Sequence, residues 1–381
     1  MSVSRNKAKR RMSWQLERDI RRFDCAIKIR LRDKGFYGIM RNRKNGVIET
    51  YDKRLEKKMI EIEVLGDEVL KGKQITKQEA LELYQMPLEP LCKKADEIRQ
   101  HYCGNIFDLC AIINGKSGKC SENCRFCAQS AYSRTDAAEY PLLSKEEILT
   151  QAKQNDSQGV LRYSIVTSGK RLSEEEISQM CETIRVIREE TGISVCVSFG
   201  LLTEEQFRKL KEAGAERAHN NLEASRNFFP NVCTTHTFED KIATAQAAKE
   251  AGLAVCSGGI MGLGETEEDR VDLAMTLRAL GVKSVPVNLL NPILGTPFAQ
   301  NERLSEEDMR RIIAVFRFIL PDAFIRLAGG RGLLPDKGRS CFLSGANAAI
   351  SGDMLTTAGI TVETDMQMLK EIGYEVRRGA E

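Results

Sequence analysis

Histidine is scarce in this sequence, with three residues in 381, and tryptophan occurs once. So few imidazoles argue against zinc-finger chemistry. No apolar run approaches the length of a membrane span, and no signal peptide is recognised. Cysteine is plentiful by contrast, and twelve unevenly spaced cysteines without a secretory signal favour metal ligation over disulfides. The sequence therefore predicts a cytoplasmic protein with no membrane partner.

Positive charge is concentrated near the start of the chain. Residues 1–58 carry 19 Lys and Arg against 7 Asp and Glu, whereas the remainder carries 38 against 47. Basic segments with few apolar residues are typically disordered or bind polyanions. This segment contains no motif, so we assign it no function and predict no nucleic-acid partner. A translation start assigned too early, with Met59 as the true start, is an equally good interpretation.

The periodicity of the remaining chain predicts an α/β fold. Residues 59–107 form a helical lead-in, in which Thr76-Lys77-Gln78-Glu79 has the form of a capping box. Over residues 108–381, eight strands alternate with helices, which indicates a TIM-type (βα)8 barrel with its chemistry at the carboxyl ends of the strands. The predicted strands span residues 108–114, 160–167, 193–199, 217–222, 254–259, 284–290, 323–328 and 342–349. The predicted helices between them span residues 145–154, 174–190, 203–213, 238–250, 267–279 and 305–320.

The loop after the first predicted strand carries a C-x3-C-x2-C triplet, Cys120, Cys124 and Cys127. Three thiolates this close suit an iron-sulfur cube, because each ligates one iron while the fourth iron stays open. Zinc would require a fourth Cys or His nearby, and the nearest downstream histidine, His219, is distant. Three merely buried cysteines are the alternative, although buried thiols rarely crowd a loop rich in Gly, Lys and Asn.

This triplet is the signature of the radical S-adenosylmethionine (radical SAM) enzymes, and the stretch CSENCRFCAQSAYSRT resembles biotin synthases. The resemblance covers about residues 66–376. It implies a barrel of the radical SAM kind and a 4Fe-4S cluster whose open iron chelates SAM. An electron would then cleave SAM to a 5'-deoxyadenosyl radical. It also implies an electron donor such as flavodoxin or ferredoxin, and iron-sulfur assembly proteins as partners.

The fourth predicted strand ends in Asn221 and Glu223. An amide and a carboxylate at a strand end can bind a ribose diol, although an ordinary polar strand end has the same composition. The resemblance implies that both residues contact the sugar of SAM. Glu223 stands where the family commonly has Asp, a change of one methylene.

The fifth predicted strand runs into a turn with four glycines in seven residues, which permits close approach of the backbone to a ligand. Such turns are common in barrels, and the absence of a following Lys-Ser/Thr excludes a phosphate loop. In radical SAM enzymes the corresponding stretch packs against the adenine and methionine parts of SAM. The resemblance assigns this role to Gly258, Gly259, Ile260, Gly262 and Glu265.

Biotin synthases also need a second, sacrificial iron-sulfur cluster, usually held by cysteines on strands 2, 3 and 5 and an arginine on strand 7. Here Cys196, Cys256 and Arg326 match strands 3, 5 and 7, but the strand 2 position is Ser164. Strand 1 carries Cys110, where the family has a small hydroxyl residue. The resemblance therefore implies an altered ligand set.

Barrel interiors are filled in layers by side chains from alternate strands, so strands 1, 3, 5 and 7 can place Cys110, Cys196, Cys256 and Arg326 together. Three cysteines on alternate strands would suit a four-iron cluster with one free iron that holds an extra sulfide. The rival is a two-iron cluster in which Ser164 coordinates and Cys110 is a bystander. Incidental core cysteines are a third interpretation.

The resemblance assigns Asn288, at the end of strand 6, to dethiobiotin, and an amide side chain can both donate to and accept from a ureido group. It implies insertion of sulfur between two unactivated carbons of dethiobiotin, which general bases cannot deprotonate. A hydrogenase-cofactor maturase, a methylornithine synthase or a non-catalytic iron-sulfur carrier are the alternatives. The sequence leaves monomer and homodimer both open.

Overall fold

The computed structural model describes residues 53–378 and, before them, one antiparallel strand pair, Gly38–Ile39 with Thr50–Tyr51. The chain divides into two compact units, residues 1–53 and 54–381. Apart from this strand pair, the predictions for residues 1–52 lie outside the described residues. Residues 53–58 begin a helix that runs on through Met59. The boundary between residues 58 and 59 stays a prediction.

A closed barrel of parallel strands forms the second unit. Each of the eight barrel strands pairs in parallel with its sequence neighbour, and β8 pairs with β1 to close the ring. The predicted (βα)8 barrel is confirmed. Its strands are β1 Ile106–Lys116, β2 Arg162–Thr167, β3 Ser194–Ser198, β4 Arg217–His219, β5 in two pieces Ala254–Cys256 and Gly259–Met261, β6 Ser284–Leu289, β7 Phe324–Leu327 and β8 Ala348–Ser351, with a short β9 Glu375–Val376 beside β1.

Helices surround the barrel, and seven of those described begin at a capping box, in which a Ser or Thr accepts from the backbone three residues on. The predicted box at Thr76 and Glu79 is among them. The helices are α1 Lys53–Leu70, α2 Lys77–Tyr84, α3 Leu88–Cys103, α4 Lys145–Ser157, α5 Glu174–Glu190, α6 Glu204–Ala213, α7 Phe238–Glu250, α8 Glu267–Ala279, α9 Glu306–Ile319, α10 Arg339–Phe342 and α11 Val362–Glu371. Among the described residues, none of the helices combines the length and the apolar character needed to cross a membrane.

The last barrel strand was predicted too early, at residues 342–349. Residues Arg339–Phe342 are helical, and the strand is Ala348–Ser351. Phe342 is fully buried, with its ring edge against Phe107. A short apolar run has the same appearance in a buried helix and in a buried strand, so periodicity does not separate them.

Shortening the chain to begin at Met59 should leave the barrel unit folded. The residues removed from α1 include Leu55, which is 42 % exposed, and Lys58, whose ammonium donates to the Gln85 carbonyl at 2.6 Å. The buried Ile62 and Val69 are retained. We expect the free energy of unfolding to change by less than about 1 kcal/mol, as for exposed positions generally. Denaturant unfolding of both chains measures this, and an insoluble short chain would contradict it.

Candidate active site

The cysteine triplet lies on the irregular loop that follows β1. Backbone hydrogen bonds fold this loop back on itself, because Cys120 N–H donates to the Gln129 carbonyl and Ala131 N–H donates to the Cys120 carbonyl, both at 2.9 Å. All three thiols are half-buried. Cys127 lines the main cavity of the barrel, and Cys120 and Cys124 lie outside its lining. The loop therefore presents free thiols at the carboxyl end of the barrel.

That cavity has a volume of about 340 Å³ and reaches from the barrel interior to the loops after β1, β6 and β8. Its wall includes Cys110, Cys196, Cys256 and Arg326, the four side chains predicted to share a layer, and each is at most 6 % exposed. Ser164 also lines it. The structure thus brings the predicted thiols and the serine into one cavity, and the choice between the two ligand sets stays a prediction.

A buried carboxylate that the sequence reasoning missed lies beside this layer. Asp108 Oδ1 is 2.9 Å from Arg326 Nη2, while its Oδ2 is 2.8 Å from Arg162 Nε and 3.8 Å from Arg217 Nη2. Burial opposes the charge of Asp108, but the three guanidinium groups hold its pKa well below the ordinary value. An acid within the otherwise apolar residues 106–113 of β1 was the signal in the sequence.

Three guanidinium groups surround one buried carboxylate at this layer. Asp108 and the three arginines are nearly fully buried, and the nearby Glu216, 3.8 Å from Arg162, is 34 % exposed at its side chain. Buried guanidinium groups in a low-dielectric site favour anionic partners beside them. An iron-sulfur cluster held by thiolates has that charge.

The three barrel thiols differ in acidity. Burial raises the pKa of Cys110 to about 12 and also raises the pKa of Cys196. Burial would likewise raise the pKa of Cys256, but His219 and the neighbouring arginines outweigh it and lower this pKa to about 6. His219 pairs with Cys256 across β4 and β5. Cys256 is therefore the thiol most ready to ligate a metal near neutral pH.

The predicted sugar-binding pair lies on the cavity wall. Asn221 Oδ1 accepts from Gly258 N–H at 3.0 Å, and its Nδ2 is 3.4 Å from the Glu223 carboxylate. Glu223 has the left-handed φ of 68°, which turns the chain after β4, and burial raises its pKa. The pair is thus held by the backbone of the split strand β5.

Two glycines in that split strand are required by close packing. A Cβ on Gly258 would lie 1.8 Å from the Pro286 carbonyl oxygen, and one on Gly259 would lie 2.5 Å from the Glu223 carbonyl oxygen. Both distances are far inside van der Waals contact, so no larger residue fits. These glycines therefore fix the approach of β5 to its neighbours.

Only one residue of the predicted glycine-rich stretch lines the cavity. Ile260 lines the cavity, whereas Gly258, Gly259, Gly262 and Glu265 lie outside its lining. The Glu265 carboxylate accepts from Gly262 N–H at 2.9 Å and binds Arg270 Nε at 2.7 Å. Glu265 thereby closes its own turn.

Asn288 lines the same cavity near the end of β6. Its Nδ2 donates to the Gly259 carbonyl at 3.0 Å, and its Oδ1 accepts from Gly329 N–H at 2.8 Å. These bonds fix the orientation of the amide. One N–H and one lone pair of the amide are left for a further partner.

Two family models match the chain: the Radical SAM superfamily over residues 116–277, and the Biotin and Thiamin Synthesis associated domain over residues 286–375. The chain is 60 % identical over 320 residues to the biotin synthase of Brachyspira hyodysenteriae, covering 84 % of this chain and 96 % of that protein. It is 59 % identical over 309 residues to the biotin synthase of Akkermansia muciniphila, covering 81 % and 96 %.

Two solved structures share the fold. A methylornithine synthase superposes with a TM-score of 0.73 at 22 % identity, covering 82 % of this chain and 97 % of that one. A maturase of the FeFe-hydrogenase superposes with a TM-score of 0.71 at 18 % identity, covering 87 % and 80 %. These likenesses establish the barrel, while the far higher identities to biotin synthases establish the family. The chain is an enzyme that belongs to the biotin synthase family of the radical SAM superfamily.

Proposed function

We propose that this enzyme converts dethiobiotin to biotin with sulfur taken from an auxiliary cluster held by Cys110, Cys196 and Cys256. The observation that carries the proposal is the shared cavity. The three thiols line the same space as Cys127 of the triplet and as Asn221. A substrate in that space would be within reach of both a radical source and a sulfur source.

The triplet suits the SAM-cleaving cluster by its chemistry. Three thiols on one loop supply three iron ligands and leave the fourth iron for the amino and carboxylate groups of SAM. When bound, this 4Fe-4S cluster supplies the electron that cleaves SAM and generates the 5'-deoxyadenosyl radical. The alternative of a non-catalytic iron-sulfur carrier has no use for a cavity beside the triplet.

Four residues on the cavity wall or next to it would orient SAM. Asn221 and Glu223 would bind the ribose hydroxyls, since amide and carboxylate oxygens accept from both. Ile260 would provide an apolar surface for the adenine. Gly258 supports this assignment indirectly. It packs tightly against β6, and its N–H donates to Asn221 Oδ1 at 3.0 Å, which fixes the position of that amide.

Asn288 would bind the ureido group of dethiobiotin. Its remaining N–H and lone pair match a urea, which offers both an acceptor and donors. Because two backbone bonds already orient this amide, little side-chain entropy would be lost on binding. Asn288 would thereby position the carbons to be attacked relative to the barrel thiols.

The auxiliary cluster would contain four irons, three of them ligated by Cys110, Cys196 and Cys256. The free iron could hold an extra sulfide for insertion and so spare the cube. Arg326 lines the same cavity as the three thiols, and its guanidinium group, which also binds Asp108, would stabilise the anionic cluster. The rival remains a two-iron cluster with Ser164 as a ligand. A donor such as flavodoxin or ferredoxin would supply electrons, and iron-sulfur assembly proteins would supply the clusters.

Replacing Cys120, Cys124 or Cys127 by Ala should abolish reductive cleavage of SAM, because each change removes one of three iron ligands. Anaerobic incubation with SAM and dithionite, followed by chromatography of 5'-deoxyadenosine, measures the loss. We expect a decrease of more than about a hundredfold, in line with the loss of a metal ligand. Cys181→Ala on α5 is the matched control and should retain cleavage. Near-normal cleavage by Cys124→Ala would contradict the assignment.

Replacing Cys110 by Ser should remove the auxiliary cluster while SAM cleavage is partly retained. Iron counting and Mössbauer spectroscopy are done on a protein without the triplet, so that only the auxiliary cluster is measured. With Cys110 present they should report four irons, and with Cys110→Ser they should report loss of the cluster. Ser164→Ala is the matched control, since it alters the rival ligand, and it should leave the spectrum unchanged. A two-iron spectrum that is insensitive to Cys110→Ser and lost in Ser164→Ala would contradict the proposal.

Replacing Asp108 by Asn should destabilise the cluster-free enzyme by ~3–5 kcal/mol, because it leaves the buried guanidinium groups without their shared carboxylate. Reconstitution of the auxiliary cluster should restore part of the loss, since the cluster is anionic. Denaturant unfolding with and without the cluster measures both effects.

Asp365→Asn is the control for this change, because Asp365 is equally buried and binds Arg331 at 2.6 Å, outside the cavity lining. Its loss should not be restored by reconstitution. Equal recovery of stability in both variants would contradict the electrostatic role of the layer.

A further inference from the structure

A second loop lies against the cysteine triplet. It follows the 3-10 turn Phe229–Asn231 and carries Cys233 and His236. Asn123, within the triplet, binds this loop by several hydrogen bonds. Its Oδ1 accepts from Thr234 N–H at 2.9 Å and from Thr235 N–H at 3.2 Å, and its Nδ2 donates to Thr234 Oγ1 at 2.6 Å. The two loops are therefore fixed to each other.

This docking brings three metal-binding atoms together. The sulfurs of Cys124 and Cys233 and a ring nitrogen of His236 all lie within 4.8 Å of one another. The Cys233 sulfur is 3.3 Å from His236 Nδ1. Within residues 53–378, no other three Cys, His, Asp or Glu side chains bring ligand atoms this close. The three sulfurs of the triplet are not all within 4.8 Å of one another, as expected of thiolates that each bind a different iron of one cluster.

The spacing matches one tetrahedral ion. Metal–sulfur bonds of about 2.3 Å and metal–nitrogen bonds of about 2.0 Å place sulfur and nitrogen ligands roughly 3.5 Å apart, and two sulfurs roughly 3.8 Å apart. The three atoms would need to move by less than about 1 Å to reach this geometry. Cys233 and His236 are 3 % and 7 % exposed, so little water competes for the ion.

A fourth group is already in place. Glu122 Oε2 is 2.6 Å from His236 Nδ1 and accepts from Thr235 Oγ1 at 2.7 Å. Glu122 is 6 % exposed. Its carboxylate lies where it could join the two thiolates and the imidazole as a fourth ligand.

We propose that, before the SAM-binding cluster is assembled, Cys124, Cys233 and His236 bind one divalent transition-metal ion, such as Zn²⁺ or Fe²⁺. Two thiolates and one imidazole are ligands that both ions accept. The ion competes with cluster assembly, because Cys124 cannot serve both. This competition, although not the binding itself, rests on the proposed role of Cys124 in the cluster.

Cobalt provides the probe, because tetrahedral Co²⁺ bound to thiolates gives intense visible bands and a sulfur-to-metal charge-transfer band. The full chain without clusters is titrated anaerobically with Co²⁺. Cys233→Ala and His236→Ala should each weaken cobalt binding by at least about tenfold, because even the loss of a residue that only supports a ligand weakens metal binding by that much. Cys120→Ala and Cys256→Ser should retain it, since neither residue belongs to this site. Unchanged bands in Cys233→Ala, or their loss in Cys120→Ala, would overturn the proposal.

Competition is tested with Zn²⁺. One equivalent added to the cluster-free chain should slow reconstitution of the SAM-binding cluster, measured by its absorbance and by electron paramagnetic resonance after reduction. Cys233→Ala should form that cluster at the normal rate with Zn²⁺ present, because its three cluster cysteines are intact. Equal inhibition of both proteins would overturn the competition. If Cys124→Ala still assembles the cluster, the proposed function fails instead, and the cobalt result stands independently.

Discussion

The ion pairs of Asp108 inside the barrel are the interaction on which the site depends. One buried carboxylate lies within 4 Å of guanidinium groups from β2, β4 and β7, so it links strands that are distant in sequence. Buried charges are costly unless they are paired. Here three guanidinium groups share the carboxylate of Asp108. The shared carboxylate therefore stabilises the buried guanidinium groups, which lie in the layer of the three cysteines and would also attract the anionic cluster that we propose there.

The barrel geometry places the two groups of cysteines at different depths. The triplet is on the loop after β1, and the barrel thiols lie deeper on β1, β3 and β5. A substrate held between them would have a radical source on one side and sulfur on the other. This separation by depth is a property of the fold, and the related barrels of a methylornithine synthase and a hydrogenase maturase share the fold at low identity.

The sequence predicted those features that local chemistry determines. Helices α5, α7 and α8 have the predicted bounds, and a capping box marks the start of each. The cysteines of the cavity were predicted because alternate strands of a barrel share layers. Strand β8 was placed too early, because the apolar run at Phe342 belongs to a helix.

Features that depend on distant contacts could not be read from the sequence. The role of Asp108 depends on arginines 54 to 218 residues away, and the approach of Cys233 to Cys124 depends on a loop 109 residues further on. The prediction that Glu265 lies beside SAM stays open. Its contacts with Gly262 and Arg270 are local, within five residues, but they depend on how the turn folds, which the sequence did not show.

The origin of the inserted sulfur tests the account most directly. The enzyme is reconstituted with sulfide enriched in a heavy sulfur isotope, freed of unbound sulfide, and given dethiobiotin, SAM and a reductant under anaerobic conditions. Mass spectrometry of the first turnover should show biotin that carries the heavy isotope, and Cys110→Ser should form none. If the unaltered enzyme gives biotin with unlabelled sulfur, or gives no biotin while it still forms 5'-deoxyadenosine, a sulfur-donating cluster in the barrel is contradicted.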